Sequence, residues 1–260
     1  MKKTHTYKLH ETQCALCGSS SPEDFSVLFP ATFSQKKTVD VLFNARRMPD
    51  RVHYQIVQCR HDGLLRSTPV FDEKTLATLY KKSSFTYHDE VENLTTTYLN
   101  SLNPILQKLP HTASFLEIGC GSGFVLEKLR KLGYRHVYGA EPSTHAVSLA
   151  EPSVQKNIRC EVFTSQTFSQ KKFDCVFFFQ TFDHISNPEK FLHECYAVLK
   201  PGGFILSYHH NALSLSAKML QEKSPIYDIE HTYLYDTATT KAIFEKAHFQ
   251  VSSVTSPQNT

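Results

Sequence analysis

The sequence predicts an α/β fold in which a mostly parallel sheet is flanked by helices. Short apolar runs alternate with amphipathic stretches over residues 113–256, a pattern that indicates repeated strand–helix–strand units. One run, Phe173–Phe179, is apolar almost throughout, as expected of a central strand buried on both faces. A glycine-rich turn joins the first apolar run of this region to its first helical pattern.

The chain divides into three predicted regions. They are a small β-rich module over residues 1–70, a helical connector over 71–112 and the α/β domain over 113–260. The first region carries three of the seven cysteines, and its strand-like runs cover 25–29, 39–43 and 52–57. In the connector, Asp72 is the expected N-cap of one helix, and Pro104 is expected to kink or break the next.

Within the α/β domain, six strands and four helices are predicted from apolar periodicity. The strands are 115–118, 136–140, 158–163, 173–179, 203–208 and 249–255. The helices are 123–132, 143–150, 188–199 and 237–247. The passage Lys200–Gly203 contains a proline and two glycines, which end the third helix and turn the chain into the next strand.

Composition narrows the class of protein. A net charge of +3 without a long basic run argues against a protein that binds nucleic acid mainly through electrostatic attraction. The polar residues 1–13 do not predict a signal peptide, and no apolar stretch has the length of a membrane span. Seven cysteines without an export signal indicate a reducing, cytoplasmic location.

The glycine-rich turn is the strongest functional signal in the chain. Gly119, Gly121 and Gly123 alternate at the junction of strand and helix, where a ligand can approach bare backbone at a helix N-terminus. Glu117 precedes the turn. Glu141 ends the next predicted strand, about 20 residues past the turn, which is the place for a carboxylate that binds ribose hydroxyls.

These residues resemble the S-adenosylmethionine (SAM) site of class I methyltransferases. Two details resemble this site more than a dinucleotide site: a single residue separates successive glycines, and an acid precedes the first glycine. A Rossmann-like turn that holds a dinucleotide, or no ligand, stays the alternative. Further points of resemblance are the Lys200–Gly203 passage, Asp183-His184-Ile185 after the central strand, and Asn187-Pro188. The resemblance covers residues 113–256 and implies a Rossmann-like sheet.

The resemblance also implies a role for each residue at the cofactor site. The turn of Gly119, Cys120, Gly121 and Gly123 should receive the methionine part of SAM, and Glu117 should orient its ammonium group. Glu141 should bind both ribose hydroxyls. Ser165 or Gln166 should flank the adenine, and Gln180 should stand near the methionine end. The family's sheet usually has seven strands, so a count of six predicts a truncated C-terminus or an edge covered in another way.

The cysteines of the first region predict a structural zinc site. Cys14 and Cys17 form a two-residue-spaced pair followed by glycine, as in zinc ribbons, and Cys59 begins the partner motif. Asp62 stands where a fourth cysteine would be expected, so either Asp62 or His61 would complete the site. The alternative is a module whose strands persist without metal.

This layout resembles methyltransferases with an N-terminal zinc-ribbon-like module, some of which are sugar C-methyltransferases. Residues 209–234 are the expected lid or acceptor wall, in which Glu230 and His231 match the acceptor-side segment of that group. His231 is the expected general base and Glu230 its orienting partner, with a purely structural histidine as the alternative. His184 is expected to be structural or close to the cofactor, and the next candidates for the base are His209, His210 and Tyr87.

The predicted function is methyl transfer from SAM to a small-molecule acceptor, such as a sugar or another hydroxylated metabolite. Two alternatives stay open. One is a methyltransferase that acts on RNA or protein, with the ribbon module as a docking element. The other is a non-catalytic interaction protein that binds SAM or zinc.

Overall fold

The computed structural model describes residues 7–34, 39–43, 50–84 and 90–256. Its N-terminal part contains five short strands and one short helix: β1 (Leu9–His10), β2 (Phe25–Phe29), α1 (Val39–Leu42), β3 (Ile56–Cys59), β4 (Leu65–Ser67) and β5 (Val70–Phe71). Strands β2, β3 and β4 form an antiparallel meander, and β1 pairs with β5. This part is therefore β-rich, as predicted.

Two of the predicted N-terminal strands are wrong in type or extent. The run at 39–43 forms the helix α1, and the run at 52–57 becomes strand only from Ile56 onward. Both runs are short and continuously apolar, and such runs fit a buried strand and a buried helical turn equally well.

The connector forms two helices, α2 (Glu73–Lys82) and α3 (Val91–Leu106). The predicted N-cap is confirmed, because the Asp72 carboxylate accepts a hydrogen bond of 2.7 Å from the backbone N–H of Thr75. The expected break at Pro104 is displaced: α3 includes Pro104 and ends at Leu106.

The remaining elements alternate strand and helix. They are β6 (Ser114–Ile118), α4 (Phe124–Lys131), β7 (His136–Ala140), α5 (Thr144–Ser148), α6 (Pro152–Gln155), β8 (Ile158–Arg159), β9 (Phe173–Phe179), α7 (Pro188–Val198), β10 (Leu199–Tyr208), α8 (Leu215–Leu220), β11 (Tyr233–Leu234) and α9 (Thr237–Lys246). Five of these strands form a parallel sheet in the order β10-β9-β6-β7-β8. The predicted α/β fold class is confirmed.

The central strand β9 separates two hydrophobic cores. Val176 and Phe178 pack in the core that contains residues of α7 and α9, whereas Cys175 and Phe177 pack in the core that contains residues of α3 and α4. All four side chains are fully buried. Burial on both faces explains why this strand has no polar alternation in the sequence.

The strand predicted at 249–255 is absent from the structure. Instead, the ring of Phe249 packs 5.5 Å from that of Tyr196 and 5.9 Å from that of Phe244, and Val251 packs against the same core. Side-chain packing against α7 and α9 thus produces the apolar pattern without strand pairing. In the described part of the chain the parallel sheet has five strands, not six, and β10 forms its edge.

The predicted acceptor wall joins the N-terminal sheet. Strand β11 pairs antiparallel with β4, with Tyr233 opposite Arg66 and Leu234 opposite Leu65. The order of this sheet is β11-β4-β3-β2, so it contains strands from both sides of the predicted boundary at residue 112. Among the described helices, none is both long and apolar enough to cross a membrane.

Candidate active site

The cleft at the carboxyl ends of β6 and β9 is the expected ligand position of this fold. The chain runs from β6 through β7 to β8 on one side of the sheet and then returns to β9 on the other, which makes the gap between β6 and β9 the topological switch point. The loops after these two strands meet there. Gly119 has a φ of +72°, and a Cβ atom at this position would lie 2.4 Å from Oγ1 of Thr181. Only glycine permits this turn and this approach.

Glu141 is tied to the glycine turn. Its Oε2 accepts a hydrogen bond of 2.9 Å from the backbone N–H of Gly121, and its Oε1 accepts one of 2.8 Å from that of Ser143. Burial raises the pKa of the Glu141 carboxyl, and the two N–H groups act in the opposite direction. A carboxylate can accept about four hydrogen bonds, so acceptor capacity is left for a diol.

Glu117 is a buried acid, one oxygen of which has no hydrogen-bond partner among the described residues. Its side chain is 3% exposed, and Oε2 has no hydrogen-bond partner within the described structure. Burial, followed by the charge of Glu141, raises the pKa of Glu117 well above its usual range. A buried carboxylate is costly unless it is paired. The ammonium group of a bound amino-acid moiety would supply that pairing, so the site fits SAM.

The other residues predicted to bind the cofactor differ in burial and in hydrogen bonding. Gln180 has a φ of +47°, and its buried Oε1 lacks a hydrogen-bond partner among the residues described. Ser165 begins a short 3-10 helix, where its N–H donates to Glu194 at 2.6 Å, and Gln166 is exposed. Cys120 points its thiol toward Gly139, where a Cβ atom would lie 2.6 Å from Sγ. Of Cys120, therefore, the backbone rather than the thiol belongs to the turn.

The connector helices cover this cleft. Tyr98 of α3 stacks on Phe179 at 4.2 Å between ring centroids and lies 6.2 Å from Phe124, the first residue of α4. At the other end, the hydroxyl of Ser143 donates a hydrogen bond of 2.8 Å to the carbonyl of Ser83, just past α2. These contacts hold helices from the predicted connector over the strand ends.

A group of three histidines surrounds a buried aspartate just after β9. We call Asp183, His184, His210 and His231 the histidine cluster. Asp183 is 1% exposed and lies in a short 3-10 helix after β9. Its Oδ2 is 2.8 Å from Nδ1 of His210 and 3.6 Å from Nε2 of His231, and its Oδ1 is 3.8 Å from Nε2 of His184.

The histidines determine the ionisation of the aspartate. Burial alone would raise the pKa of Asp183, but His231, His210 and His184 together hold it well below its usual range. For His210, burial lowers the pKa, and the hydrogen bond and charge of Asp183 outweigh it and raise the pKa above its ordinary value. Asp183 is thus an anion that stabilises positive charge around it.

The structure gives His231 a partner that sequence reasoning missed. Its Nδ1 lies 2.7 Å from the carbonyl oxygen of Ile226, and the carboxylate facing its Nε2 is Asp183. Glu230 donates its backbone N–H to Asp228 and accepts a hydrogen bond of 3.4 Å at its carbonyl from Tyr80. The sequence signal that could have indicated this partner was the position of Asp183 just after the central strand.

The remaining base candidates separate clearly. His209 has one ring nitrogen 2.7 Å from the hydroxyl of Ser207 and the other 3.1 Å from that of Thr240. Burial lowers the pKa of His209 to about 4. His210 belongs to the histidine cluster, and its side chain is 34% exposed. Tyr87 lies outside the described residues.

The structure brings Cys14, Cys17, Cys59 and Asp62 together, and we call these four residues the cysteine cluster. One ligand atom from each lies within 4.8 Å of all the others. Oδ2 of Asp62 is 3.1 Å from Sγ of Cys14, and Sγ of Cys17 is 3.5 Å from Sγ of Cys59. The alternative ligand is directed elsewhere, because Nε2 of the half-exposed His61 lies 2.9 Å from Oδ1 of Asp24.

The cysteine cluster has the geometry of a metal knuckle. The N–H of Gly18 donates to the carbonyl of Cys14 at 2.8 Å, and that of Gly63 donates to the carbonyl of Cys59 at 3.0 Å, so both loops are tight turns. Three thiolates and one carboxylate suit a four-coordinate zinc ion. Burial raises the pKa of the Cys14 thiol, a cost that metal binding would offset.

The parallel sheet, the glycine turn and the two acids at the ends of β6 and β7 define a class I SAM-dependent methyltransferase domain. Residues 91–254 match the model of a methyltransferase domain family, and because this stretch is more than half of the chain, the chain belongs to that family.

Individual relatives are more distant. The chain is 32% identical over 110 residues to the mitochondrial ubiquinone biosynthesis O-methyltransferase of Rattus norvegicus, covering 39% of this chain and 32% of that one. It is 32% identical over 96 residues to the corresponding enzyme of a Bradyrhizobium strain, covering 35% and 37%. The chain thus spans about a third of the length of these relatives.

The fold has a solved counterpart in a SAM-dependent methyltransferase from Archaeoglobus fulgidus. The TM-score is 0.50 at 20% sequence identity, over 69% of this chain and 75% of that one. At this identity the similarity concerns the fold alone.

Proposed function

We propose that this protein transfers the methyl group of SAM to an oxygen atom of a hydroxylated small molecule. The observation that carries the proposal is Glu117. It is a buried acid with one oxygen unpartnered among the described residues, and it lies beside a glycine turn whose backbone is not covered by side chains. A cationic amino-acid moiety is the ligand that this arrangement stabilises. SAM, once bound, supplies an electrophilic methyl group on a sulfonium centre.

The chain's own residues would bind and orient the donor. Glu117 would pair with the ammonium group, and the remaining acceptor sites of Glu141 would take the ribose hydroxyls. Gln180, whose buried Oε1 is unpartnered in the described structure, would donate or accept near the methionine end. Ser165 and Gln166 would flank the adenine. Tyr98 and α3 would exclude water from the reacting atoms.

The histidine cluster would handle the proton of the acceptor. We assign the proton-accepting role to Nε2 of His231, because the Ile226 carbonyl occupies Nδ1, whereas the anion Asp183 lies 3.6 Å from Nε2, beyond hydrogen-bond distance. Asp183 would stabilise the imidazolium that forms, as an aspartate does in other histidine-based catalysts. Glu230 would act through its backbone, by holding Tyr80 beside His184.

An oxygen acceptor is the class that the comparisons favour. The curated relatives named above are O-methyltransferases of ubiquinone biosynthesis, which supports a small hydroxylated acceptor, including a phenol or a sugar. A net charge of +3 without a long basic run in the sequence supports a small molecule over a nucleic acid.

Two further assignments belong to this proposal. The cysteine cluster would hold a structural zinc ion, since four protein ligands leave no open position for substrate. The seven cysteines are all free thiols, and this supports a reducing, cytoplasmic location.

The proposal is tested by incubating the purified protein with SAM and a panel of sugars, phenols and catechols. S-adenosylhomocysteine should form only with acceptors that carry a free hydroxyl, and matched acceptors with that hydroxyl already methylated should give none. Failure to bind S-adenosylhomocysteine in calorimetry would overturn the cofactor assignment. Methylation at carbon or nitrogen would overturn the acceptor class alone.

A further inference from the structure

We propose that Asp183, His210 and His231 form a binding site for a divalent transition-metal ion, separate from the cysteine cluster. Binding of the ion follows from the residues themselves. Its use in holding the oxygen of a methyl acceptor rests on the function proposed above.

The distances between the three side chains suit a common ion. One ligand atom from each lies within 4.8 Å of the others, with 2.8 Å between Nδ1 of His210 and Oδ2 of Asp183, and 3.6 Å between Nε2 of His231 and that oxygen. Two ligands about 2.1 Å from an ion, at an angle of roughly 90–109°, lie about 3.0–3.4 Å apart. The observed separations bracket that range, so small side-chain shifts would complete the site.

The tautomer of His231 points the same way. The Ile226 carbonyl can only accept a hydrogen bond, so the proton of the neutral ring must be on Nδ1. The lone pair of Nε2 on this neutral ring then faces the Asp183 carboxylate at 3.6 Å, and this arrangement of two acceptors is repulsive until Nε2 takes up a proton or a metal ion lies between them. Metal-binding histidines commonly donate their other N–H to a carbonyl in this way.

The carboxylate also has unused capacity. Oδ1 of Asp183 is buried and lacks a hydrogen-bond partner in the described part of the chain, since Nε2 of His184 is 3.8 Å away. Nδ1 of His184 is in turn 3.2 Å from the hydroxyl of Tyr80. This ring would therefore brace the site from outside the proposed ligand set.

Three protein ligands leave positions open for an exogenous oxygen. Two imidazoles and one carboxylate suit zinc, iron, cobalt or nickel better than calcium or magnesium. His210 is 34% exposed whereas Asp183 and His231 are almost fully buried, so the site is accessible from the side of His210. An acceptor hydroxyl could enter there.

The chemistry balances without another reagent. A hydroxyl bound to the ion loses its proton to water more readily, as metal-bound water does. Its oxygen lone pair forms the new bond to the methyl carbon, the carbon–sulfur bond breaks, and its electron pair stays on sulfur. With the ion bound, His231 acts as ligand and the released proton goes to solvent.

The experiment measures metal and not turnover. Metal-free protein is loaded with zinc, desalted and analysed for zinc per chain, together with His210→Gln, His231→Gln and Asp183→Asn variants. Each should hold about one zinc ion fewer than the wild type. His209→Gln is the matched control, because His209 contacts Ser207 and Thr240 instead and should keep the full content.

Cobalt separates the two metal sites in the intact protein. Cobalt in the cysteine cluster gives thiolate-to-metal charge-transfer absorption, whereas cobalt held by nitrogen and oxygen gives d–d bands alone. The His210→Gln variant should lose only the second signal, and Cys14→Ser should lose the first. Unchanged zinc content and an unchanged cobalt spectrum in His210→Gln would overturn the proposal.

Folding and function are kept apart by a binding control. Each variant is tested for S-adenosylhomocysteine binding, and His210→Gln, at the half-exposed position, carries the conclusion if a buried variant fails to fold. Metal binding without methyl transfer would support this site and contradict the proposed function. Methyl transfer by a protein that binds no second metal ion would support the proposed function and contradict this metal site.

Discussion

The hydroxyl of Tyr233 donates a hydrogen bond of 2.8 Å to the carbonyl oxygen of Gln13. Gln13 directly precedes Cys14 of the cysteine cluster, and Tyr233 lies two residues after His231 of the histidine cluster. The hydroxyl of Ser67 adds a bond of 2.6 Å to the carbonyl of His231. The N-terminal module is therefore joined to the proposed acceptor side by short, mostly buried connections.

Removing the first of these bonds should destabilise the protein. We expect Tyr233→Phe to lower the free energy of unfolding by about 0.5–1.5 kcal/mol, because a hydrogen bond between two partly buried groups is lost. Tyr235→Phe is the matched control. Its buried hydroxyl has no hydrogen-bond partner among the described residues, so its removal should be neutral or stabilising. Equal losses in denaturant unfolding of the two variants would contradict this expectation.

The second prediction concerns the cysteine cluster. Elemental analysis should find a zinc ion in the cysteine cluster, and Cys14→Ser, Cys59→Ser and Asp62→Ala should each remove it. The reason is that a site with four protein ligands loses much of its affinity for zinc when any one of them is removed. His61→Ala should leave the zinc content unchanged, since its ring faces Asp24. Zinc loss in the His61 variant, or none in the Asp62 variant, would reverse the ligand assignment. Asp62→Cys should tighten the site.

The periodic parts of the fold could be predicted from the sequence, and the site could be predicted only in part. Strands β7 and β9 begin and end at the predicted residues, because each is buried and bounded by turn signals. The stretch from Phe249 to Thr255 also has a strand-like apolar pattern, but it packs by its side chains alone, and periodicity cannot distinguish a paired strand from such a segment.

The acceptor side depends on contacts that local sequence does not encode. Glu230 is adjacent to His231 in sequence, yet the carboxylate that faces the His231 ring comes from Asp183, at the end of another strand. The pairing of β11 with β4, which positions His231, joins segments more than 160 residues apart. A single sequence carries no signal for such pairing.

The third prediction concerns Glu141, the proposed ligand of the ribose hydroxyls. Glu141→Ala should weaken binding of SAM and S-adenosylhomocysteine by roughly 1.5–3 kcal/mol, because a charged partner of two hydroxyls is lost. Glu161→Ala removes an exposed carboxylate two residues after β8 and serves as the control. Calorimetry should show the loss in the first variant alone. Because Glu141 also holds Gly121 and Ser143, thermal unfolding should accompany the measurement.

The fourth prediction concerns the buried acid Glu117. Glu117→Gln should weaken SAM binding while leaving the free protein equally stable or more stable at neutral pH. The reason is that burial raises the pKa of Glu117, so ionising it costs free energy in the absence of ligand.

The sign of the pH effect follows from that raised pKa. Because the folded state holds this proton more tightly than the unfolded chain does, Glu117 makes its full contribution to the free energy of unfolding below the ordinary glutamate pKa of about 4.3. The contribution is lost as the pH rises through the higher folded value. Glu117→Gln should flatten this part of the stability profile. An unchanged profile, measured by denaturant unfolding across pH, would show that Glu117 is not the buried titrating group.

The last prediction concerns the proposed base. His231→Ala should lower turnover by about 10²–10⁴-fold while S-adenosylhomocysteine affinity changes little, because His231 belongs to the proposed acceptor side and contacts Asp183 rather than the glycine turn. The loss should shrink as the pH approaches the ionisation of the acceptor hydroxyl, which then needs no help to lose its proton. Glu230→Gln should cost less, because the carboxylate that faces Nε2 of His231 comes from Asp183. A pH-independent loss of equal size in kcat and in S-adenosylhomocysteine binding would mean that His231 supports the fold of the acceptor wall. The proton would then pass to His210, the exposed member of the cluster, whose raised pKa already depends on Asp183.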